Sequence, residues 1–278
     1  MRVGIVAALV VAMTAHPSDA QSWRTLEVSR QLRDTTAHRV RVDYGAGRFD
    51  LRASNEPILY TMKLRYDENN GRPLHTYDAE QRSLRLGIAD GSLHGLSRDQ
   101  QGELRVALSR SVPLDLDLDL GATKARLDLG GLALRGLHLG SGASETEVDF
   151  SEPNPVRLRM VDVEVGAAAL EIRNLGNANT SQVRVHGGVG SVTLDFGGHW
   201  TQDMNVDTDL ALGKLHLKVP PDVGVRVEVD RVLASFDRGG LVKQGGAYFS
   251  RNWETAPYRL RIHSKTIFGA IDFEQVSR

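Results

Sequence analysis

The chain has no cysteine among its 278 residues, which excludes disulfides, thiolate-bound metals and a lipid anchor attached to cysteine. Aromatic residues are scarce, at 6% of the chain. Lys and Arg (34) nearly balance Asp and Glu (35), so the formal net charge is −1. Because there is no excess of positive charge, the sequence does not favour nucleic acid as a partner.

Long helical periodicity is absent, and the conspicuous apolar run lies at the N-terminus. The run Val3 to Met13 is unbroken, follows Met1-Arg2, and is too short to span a bilayer. Small residues at Ser18 and Ala20 complete the pattern of a signal peptide over residues 1–20, cleaved after Ala20. We therefore expect a periplasmic or secreted protein with no transmembrane anchor after cleavage.

The sequence instead contains many glycines, 28 in all, and recurring apolar–polar–apolar triplets. One series begins at Leu127, Val148, Leu170, Val192 and Leu215, at intervals of 21 to 23 residues. A second series precedes it within each unit, at Leu116, Leu137, Val163, Val183, Val206 and Val227. Glycine and alanine separate the two triplets of a unit, as in Gly166-Ala167-Ala168-Ala169.

Each triplet predicts a short strand with one buried and one exposed face. Two such strands bury little alone, but turns stacked about 4.8 Å apart bury the inner face and pair the backbone. The pattern therefore predicts an all-β, single-chain β-solenoid, resembling a β-helix. An antiparallel sandwich is the alternative, since it also contains regularly spaced short strands.

The period divides the chain into segments. Residues 21–110 lack a clean repeat and are interpreted as an N-terminal β cap region that covers one open end. Residues 111–278 are interpreted as β-solenoid repeats with an insertion at 238–257 and a final turn at 258–273. Within the repeats, one inward column of stacked side chains is expected, formed by Leu129, Phe150, Ile172, Leu194 and Leu217.

Carboxylates recur on the outer positions of nearly every turn, at Asp128, Asp149, Glu171, Asp195, Asp237 and Asp272. A calcium site needs six to eight converging oxygens, whereas a regular ladder is typical of a solvated face. A row of His138, Glu164, His186 and Asp207 is interpreted in the same way, because zinc needs three or four converging ligands. We therefore predict no catalytic, cofactor-binding or metal-binding residue.

An enzyme remains the alternative function. β-Solenoids also carry polysaccharide lyases and hydrolases, which act through paired acids or an acid with a base. Asp149, Glu171 and Arg173 are the residues from which such a site would be built. Serine nucleophile elbows, phosphate-binding loops and zinc-protease motifs are absent from the sequence.

The insertion concentrates aromatic and basic residues. Tyr248, Phe249 and Trp253 lie close to Arg251 in the sequence, and such a loop can stack on sugars or contact a protein. These four residues are the candidate partner-binding site. The alternative interpretation is a hairpin that packs its aromatic rings over the end of the solenoid.

Three further stretches are distinctive: LDLDLGATKARLDLGGL at 116–132, LHLKVPPDVGVRVEV at 215–229 and TIFGAIDF at 266–273. They resemble the toast-rack family, the LiaF-like and adhesin-like β-solenoid domains of bacterial envelope proteins. The resemblance covers about 40–273 and is weakest between 54 and 110. It implies envelope-stress sensing, adhesion or scaffolding, without catalytic residues. We therefore expect a non-enzymatic, envelope-associated binding or scaffold protein whose partner is an envelope protein or a cell-surface glycan.

Overall fold

A computed structural model describes residues 22–69, 71–89 and 102–276, so the predicted signal peptide at 1–20 lies outside the described residues. These ranges contain sixteen strands: β1 (Trp23–Gln31), β2 (His38–Ser54), β3 (Ile58–Asp67), β4 (Arg72–Asp78), β5 (Ser83–Ala89), β6 (Glu103–Ser109), β7 (Leu114–Asp128), β8 (Leu134–Ser141), β9 (Glu145–Asp149), β10 (Val161–Arg173), β11 (Gln182–Asp195), β12 (Met204–Val219), β13 (Val223–Asp237), β14 (Val242–Gln244), β15 (Ala247–Phe249) and β16 (Tyr258–Gln275).

The repeating unit is one long strand bent at a corner. In β12 the alternation of exposed and buried residues breaks at Ala211 and Leu212, which are both exposed, and resumes with buried Leu215. Gly213 follows them with φ +150°, a conformation that favours glycine. The two halves of each strand therefore form two layers that meet at a corner, which we call arm 1 (first half) and arm 2 (second half).

The bent strands stack in parallel, as a solenoid requires. β10 pairs with β11 and β11 with β12 over their whole lengths, with Val192 opposite Leu215 and Leu194 opposite Leu217. One turn is split, because β8 pairs with arm 1 of β10 and β9 with arm 2. The predicted all-β solenoid is confirmed, and this parallel pairing rules out the antiparallel sandwich.

The core lies between the arms, but its predicted column needs correction. Leu129, Phe150, Ile172, Leu194 and Leu217 are all buried, as expected. The residues that share a register with Ile172 are, however, Leu127 and Val148. Leu129 and Phe150 lie one inward position further along the chain, just past the ends of β7 and β9. The reason is the longer connection between β9 and β10, which makes that step 24 residues.

Loops close the third side of each turn, and buried asparagines join successive loops. The Asn154 amide donates to the carbonyl oxygens of Leu134 (2.8 Å) and Ala178 (3.2 Å). Asn177 donates to the Phe150 carbonyl oxygen at 2.7 Å and accepts from the His199 backbone N–H at 2.7 Å. These side chains satisfy backbone groups where no strand ladder exists.

At the N-terminal end, both arms are extended by strands that are not in chain order. Arm 1 of β2 pairs with β5, and arm 2 of β2 pairs with β6. β3 then adds to β6 and β1 to β3, both antiparallel, while β4 adds antiparallel to β5. The arm 2 layer therefore begins β1-β3-β6-β2-β7.

At the C-terminal end the order is β12-β16-β13-β15-β14, so the final strand lies between β12 and β13 rather than beyond β13. The final turn at 258–273 is therefore last in the sequence but not last in the stack. The cause is the segment 238–257. Its hairpin pairs with the outer edge of β13 at Arg226 and Val227. The Ser250 N–H then donates to the Val225 carbonyl oxygen (2.9 Å), and the Ser250 hydroxyl oxygen accepts from the Val225 N–H (2.8 Å). The chain thus returns across the start of β13 to its other side.

Candidate functional site

The insertion holds its aromatic rings against one another and against the solenoid. The Phe249 and Trp253 rings meet edge to face at 5.6 Å, and Tyr248 meets Phe236 in the same way at 4.9 Å. The guanidinium of Arg226 lies 5.9 Å from the Phe249 ring centre. Arg251, the fourth candidate residue, is exposed.

Trp253 is flanked by two cations from the start of β16. The guanidinium carbons of Arg259 and Arg261 lie 5.7 and 5.5 Å from its ring centre, within the range of cation–π attraction. Arg261 also pairs with Asp203 at 3.2 Å, which ties β16 to the chain just before β12. This arrangement places Tyr248, Phe249 and Trp253 in contacts within the chain, and the partner-binding role of the four residues stays a prediction.

The histidines of arm 1 do not form the single row that the sequence suggested. His138 is opposite Asp162, with Nδ1 3.3 Å from Oδ2, whereas His186 is in register with Glu164 and Asp209. Asp207 is opposite Arg184. Within the ranges that the structure describes, no group of three or more potential ligands is arranged to hold a metal ion.

The residues of the alternative enzyme site form ion pairs and hydrogen bonds with neighbouring side chains on the outer face. Arg173 lies 3.2 Å from Glu147 and 3.4 Å from Glu171. Asp149 accepts a hydrogen bond from the Asn174 amide at 2.7 Å. A lyase or hydrolase needs an acid and a base that converge on one substrate bond, whereas here each carboxylate is engaged by a neighbouring donor.

A wide groove crosses arm 2 at the N-terminal end of the stack. It has a volume of about 900 Å³ and spans β1, β3, β6, β2 and β7. Leu51, Met62 and Val106 also line it, but their side chains are buried on the core side of the sheet, so the floor of the groove is strand backbone between the charged side chains. Five strands spaced about 4.8 Å apart make it about 19 Å long. We call it the charged groove, after the side chains that line it: Glu27, Asp50, Arg52, Lys63, Arg105, Arg126 and Asp128.

The charges of the groove come from opposite residues on neighbouring strands. Lys63 is opposite Arg105, which is opposite Asp50, and Asp50 is opposite Arg126. Lys63 pairs with Glu27, and Arg105 pairs with Glu103 at 2.6 Å, while the nearest carboxylate of Arg126, that of Glu147, is 3.8 Å away. Arg52 has no ion pair with any residue that the structure describes, so the groove offers at least one uncommitted guanidinium.

Sequence reasoning missed this groove. Its side chains occupy outer positions of short strands, as in Asp50 and Arg52 around Leu51, and this alternation shows only that they face outward. Their neighbourhood depends on β6 lying between β3 and β2, a pairing that departs from chain order. Alternating arginines in an N-terminal region without a repeat were the available signal.

No α-helix among the described residues combines the length and apolar character required to cross a bilayer. A search of curated proteins finds no relative of this chain.

Among solved structures, the chain is similar to a candidate cell adhesion protein from Clostridium sporogenes, at 17% identity and a TM-score of 0.45, over 91% of this chain and 100% of that one. It is also similar to a candidate adhesin from Bacteroides fragilis, at 8% identity and a TM-score of 0.42, over 92% and 98% of the two chains.

The family model described as the N-terminal domain of toast_rack, DUF2154, matches residues 17–173. This match includes the region 54–110, where the resemblance was weakest, and ends before the motifs at 215–229 and 266–273. Because it covers more than half of the 278 residues, the chain belongs to the toast-rack family.

Proposed function

We propose that this protein is a non-enzymatic binding and scaffold protein of the bacterial cell envelope, and that the charged groove holds an acidic cell-surface glycan. The observation that carries the proposal is the groove itself, an open channel about 19 Å long lined by both cationic and carboxylate side chains. A channel open along its length accepts a chain-like ligand without selecting its ends.

The chemistry of the lining matches such a ligand. Guanidinium groups donate paired hydrogen bonds to carboxylates and phosphates in a fixed planar geometry. Carboxylates such as Asp50 and Asp128 accept from sugar hydroxyls. Four cationic side chains, Arg52, Lys63, Arg105 and Arg126, stand against three acidic ones, so an anionic polymer suits the groove better than a cationic one.

The location in the envelope is part of the same proposal. It is supported by membership of the toast-rack family and by the signal-peptide pattern at 1–20. The LiaF-like role in envelope-stress sensing also belongs here as a proposal, as does a second contact region at Tyr248, Phe249, Arg251 and Trp253. A scaffold with long, regular and charged faces is suited to bridging partners at a surface.

The test is calorimetric titration with an acidic bacterial polysaccharide and with a neutral polysaccharide of similar length. We expect binding of the acidic polymer only. Its affinity should fall as the salt concentration rises, because the ion pairs between the groove and the polymer are exposed to solvent. The double variant Arg52→Gln/Arg126→Gln should weaken binding at least about tenfold, since two charged hydrogen-bonding groups are lost. Arg184→Gln is the matched control, because Arg184 is exposed on arm 1, away from the groove.

Two results would contradict the proposal. One is equal affinity for the acidic and neutral polymers, and the other is an equal loss of affinity in the groove variant and in Arg184→Gln. Either result would show that the charged groove is not the binding site. Shortening of the polymer during incubation, seen as new reducing or unsaturated ends, would instead support the alternative of a carbohydrate-active enzyme.

A further inference from the structure

Six large apolar side chains protrude in one line along the corner between the two arms. They are 45–73% exposed and belong to adjacent strands: Val189 (β11), Leu212 (β12), Ile267 and Phe268 (β16), and Val232 and Leu233 (β13). Pairing places Val189, Leu212, Phe268 and Leu233 side by side. We call these six residues the corner ridge.

The ridge is confined to the C-terminal part of the stack. At the same corner, β7 carries Gly121 and Ala122, and β10 carries Gly166 and Ala167. The side chains at this corner become larger along the stack, from Val189 and Leu212 to the two large apolar residues that β16 and β13 each carry. Since a solvated corner has no need of large apolar residues, and such patches mark interaction surfaces, the ridge is a candidate contact site at one end of the molecule.

The shoulders on the two sides of the ridge differ in height. On the arm 1 side, the outward positions hold His186, Asp209, Lys265 and Asp230 in successive strands. On the arm 2 side, they hold Ser191, Lys214, Ala270 and Ser235. One shoulder is therefore tall and charged. The other is short except at Lys214 and at the β13 end, where the Arg231 guanidinium crosses the corner and donates to the Ala234 carbonyl oxygen at 3.2 Å.

We propose that a second copy of this chain docks here, ridge against ridge, about a two-fold axis parallel to the stacking direction. This rotation sets the arm 1 shoulder of each copy against the arm 2 shoulder of the other. Tall His186, Lys265 and Asp230 then face short Ser191, Ala270 and Ser235. The one long residue of the short shoulder is Lys214, whose ammonium pairs with Asp272 of its own chain at 2.7 Å and gains Asp209 of the other copy as a second carboxylate. Complementarity in height, together with this shared lysine, selects a second copy as the occupant.

The interaction is weak, and it closes at two copies. The ridge crosses four strands, so it is about 14 Å long, which places the contact among small, transient interfaces. A two-fold axis uses the same surface on both partners and leaves no second ridge for growth. The charged groove lies at the other end of the stack and stays open, so this inference does not depend on the proposed glycan.

Sedimentation velocity over a concentration series up to about 0.5 mM, as suits weak contacts, tests the ridge. The double variant Val232→Ser/Leu233→Ser should abolish the concentration-dependent dimer. Because these side chains are 73% and 69% exposed, the fold should be unaffected. Val242→Ser is the matched control, since Val242 is 46% exposed on the hairpin outside the ridge, and it should dimerise normally.

A charge exchange tests the orientation. Asp209→Lys and Lys214→Asp should each weaken self-association about tenfold through like-charge contacts. An equimolar mixture of the two variants should regain the wild-type affinity, because each contact again joins opposite charges. Lys124→Asp is the control. Lys124 pairs with Glu145 at 3.0 Å and lies in the Lys214 column, at the end without a ridge.

Other occupants appear as distinct outcomes. A wild-type protein that stays monomeric over the whole series overturns the proposal. So does a monomer that binds neutral phosphatidylcholine vesicles through the ridge, which would show a lipid surface as the occupant. A dimer that survives both ridge substitutions, or a mixture that fails to regain affinity, would contradict the ridge contact or its orientation.

Discussion

The carbonyl oxygen of Gly190 occupies the space where a side chain at Gly213 would begin: a Cβ atom on Gly213 would lie 1.9 Å from it. The two residues face each other in consecutive turns, and both have positive φ, +149° and +150°. The close approach lets the arms fold sharply at the corner while the strands stay paired. The corner of β12 therefore requires a residue without a side chain at position 213.

Gly213→Ala should therefore lower the free energy of unfolding by about 3 kcal/mol, from backbone strain and overlap with Gly190. Gly240→Ala is the control, because no atom lies within 4 Å of a Cβ there, and it should change stability by less than about 0.5 kcal/mol. Urea denaturation measures both. Equal effects in the two variants would show that the corner does not depend on this contact.

Phe150 is fully buried in the core, and its neighbour Asp149 faces outward. Phe150→Ala should lower the free energy of unfolding by about 3–5 kcal/mol, since it removes a buried aromatic ring and leaves a cavity. Asp149→Asn should change it by no more than about 0.5 kcal/mol, as for a surface substitution. Denaturant melts of the two variants would refute this assignment of faces if both effects were small.

Two buried tyrosines should respond in opposite ways to loss of the hydroxyl. Burial raises the pKa of Tyr44, whose hydroxyl has no hydrogen-bond partner among the described residues, so Tyr44→Phe should leave stability unchanged or raise it by about 1 kcal/mol. The hydroxyl of Tyr60 lies 2.6 Å from His75 Nε2, so Tyr60→Phe should lower stability by about 1 kcal/mol. Thermal melts distinguish them, and a destabilised Tyr44→Phe would indicate a hidden partner.

Trp253 should contribute to stability through its contacts within the chain. It packs against Phe249, with Arg259 and Arg261 beside its ring, and it is only partly buried. Trp253→Ala should therefore lower the free energy of unfolding by about 2 kcal/mol, less than for a fully buried aromatic residue. Arg251→Ala should leave the free energy of unfolding almost unchanged, because Arg251 is exposed. An unchanged melt together with lost glycan binding would establish the insertion as the binding surface instead.

Export should leave a chain that starts at Gln21. The basic start, the apolar run to Met13 and the small residues at Ser18 and Ala20 together favour cleavage after Ala20. Intact-mass measurement of protein recovered from the periplasm or the medium gives the answer directly. Recovered protein that still carries Met1 would contradict the prediction.

The repeat was readable from the sequence because each turn must bury the same face. Val192, Leu194, Leu215 and Leu217 alternate with polar residues and are paired as the period predicts. The register between Val148 and Ile172 was not readable, since a loop can lengthen by two residues without changing the pattern on either side. Local alternation fixes which way a side chain points, but not which side chain is opposite.

The order of the strands was hidden for a related reason. β12 and β13 have similar patterns of alternating apolar and polar residues, so the local sequence does not indicate that β16 lies between them. That choice depends on Ser250 and on Asp203, whose Oδ1 accepts from the Arg259 backbone N–H at 2.9 Å. The groove shared this limit, because Lys63, Arg105 and Arg126 become neighbours only through long-range pairing.

The position of β16 separates the order of synthesis from the order of assembly. Tyr258–Gln275 is the last of the described strands to leave the ribosome, yet it lies between two strands made earlier. The native order β12-β16-β13 can therefore be completed only once Tyr258–Gln275 is available. In a chain truncated before Tyr258, the facing edges of β12 and β13 would both lack their native neighbour, and unpaired edges are sites of mispairing and aggregation.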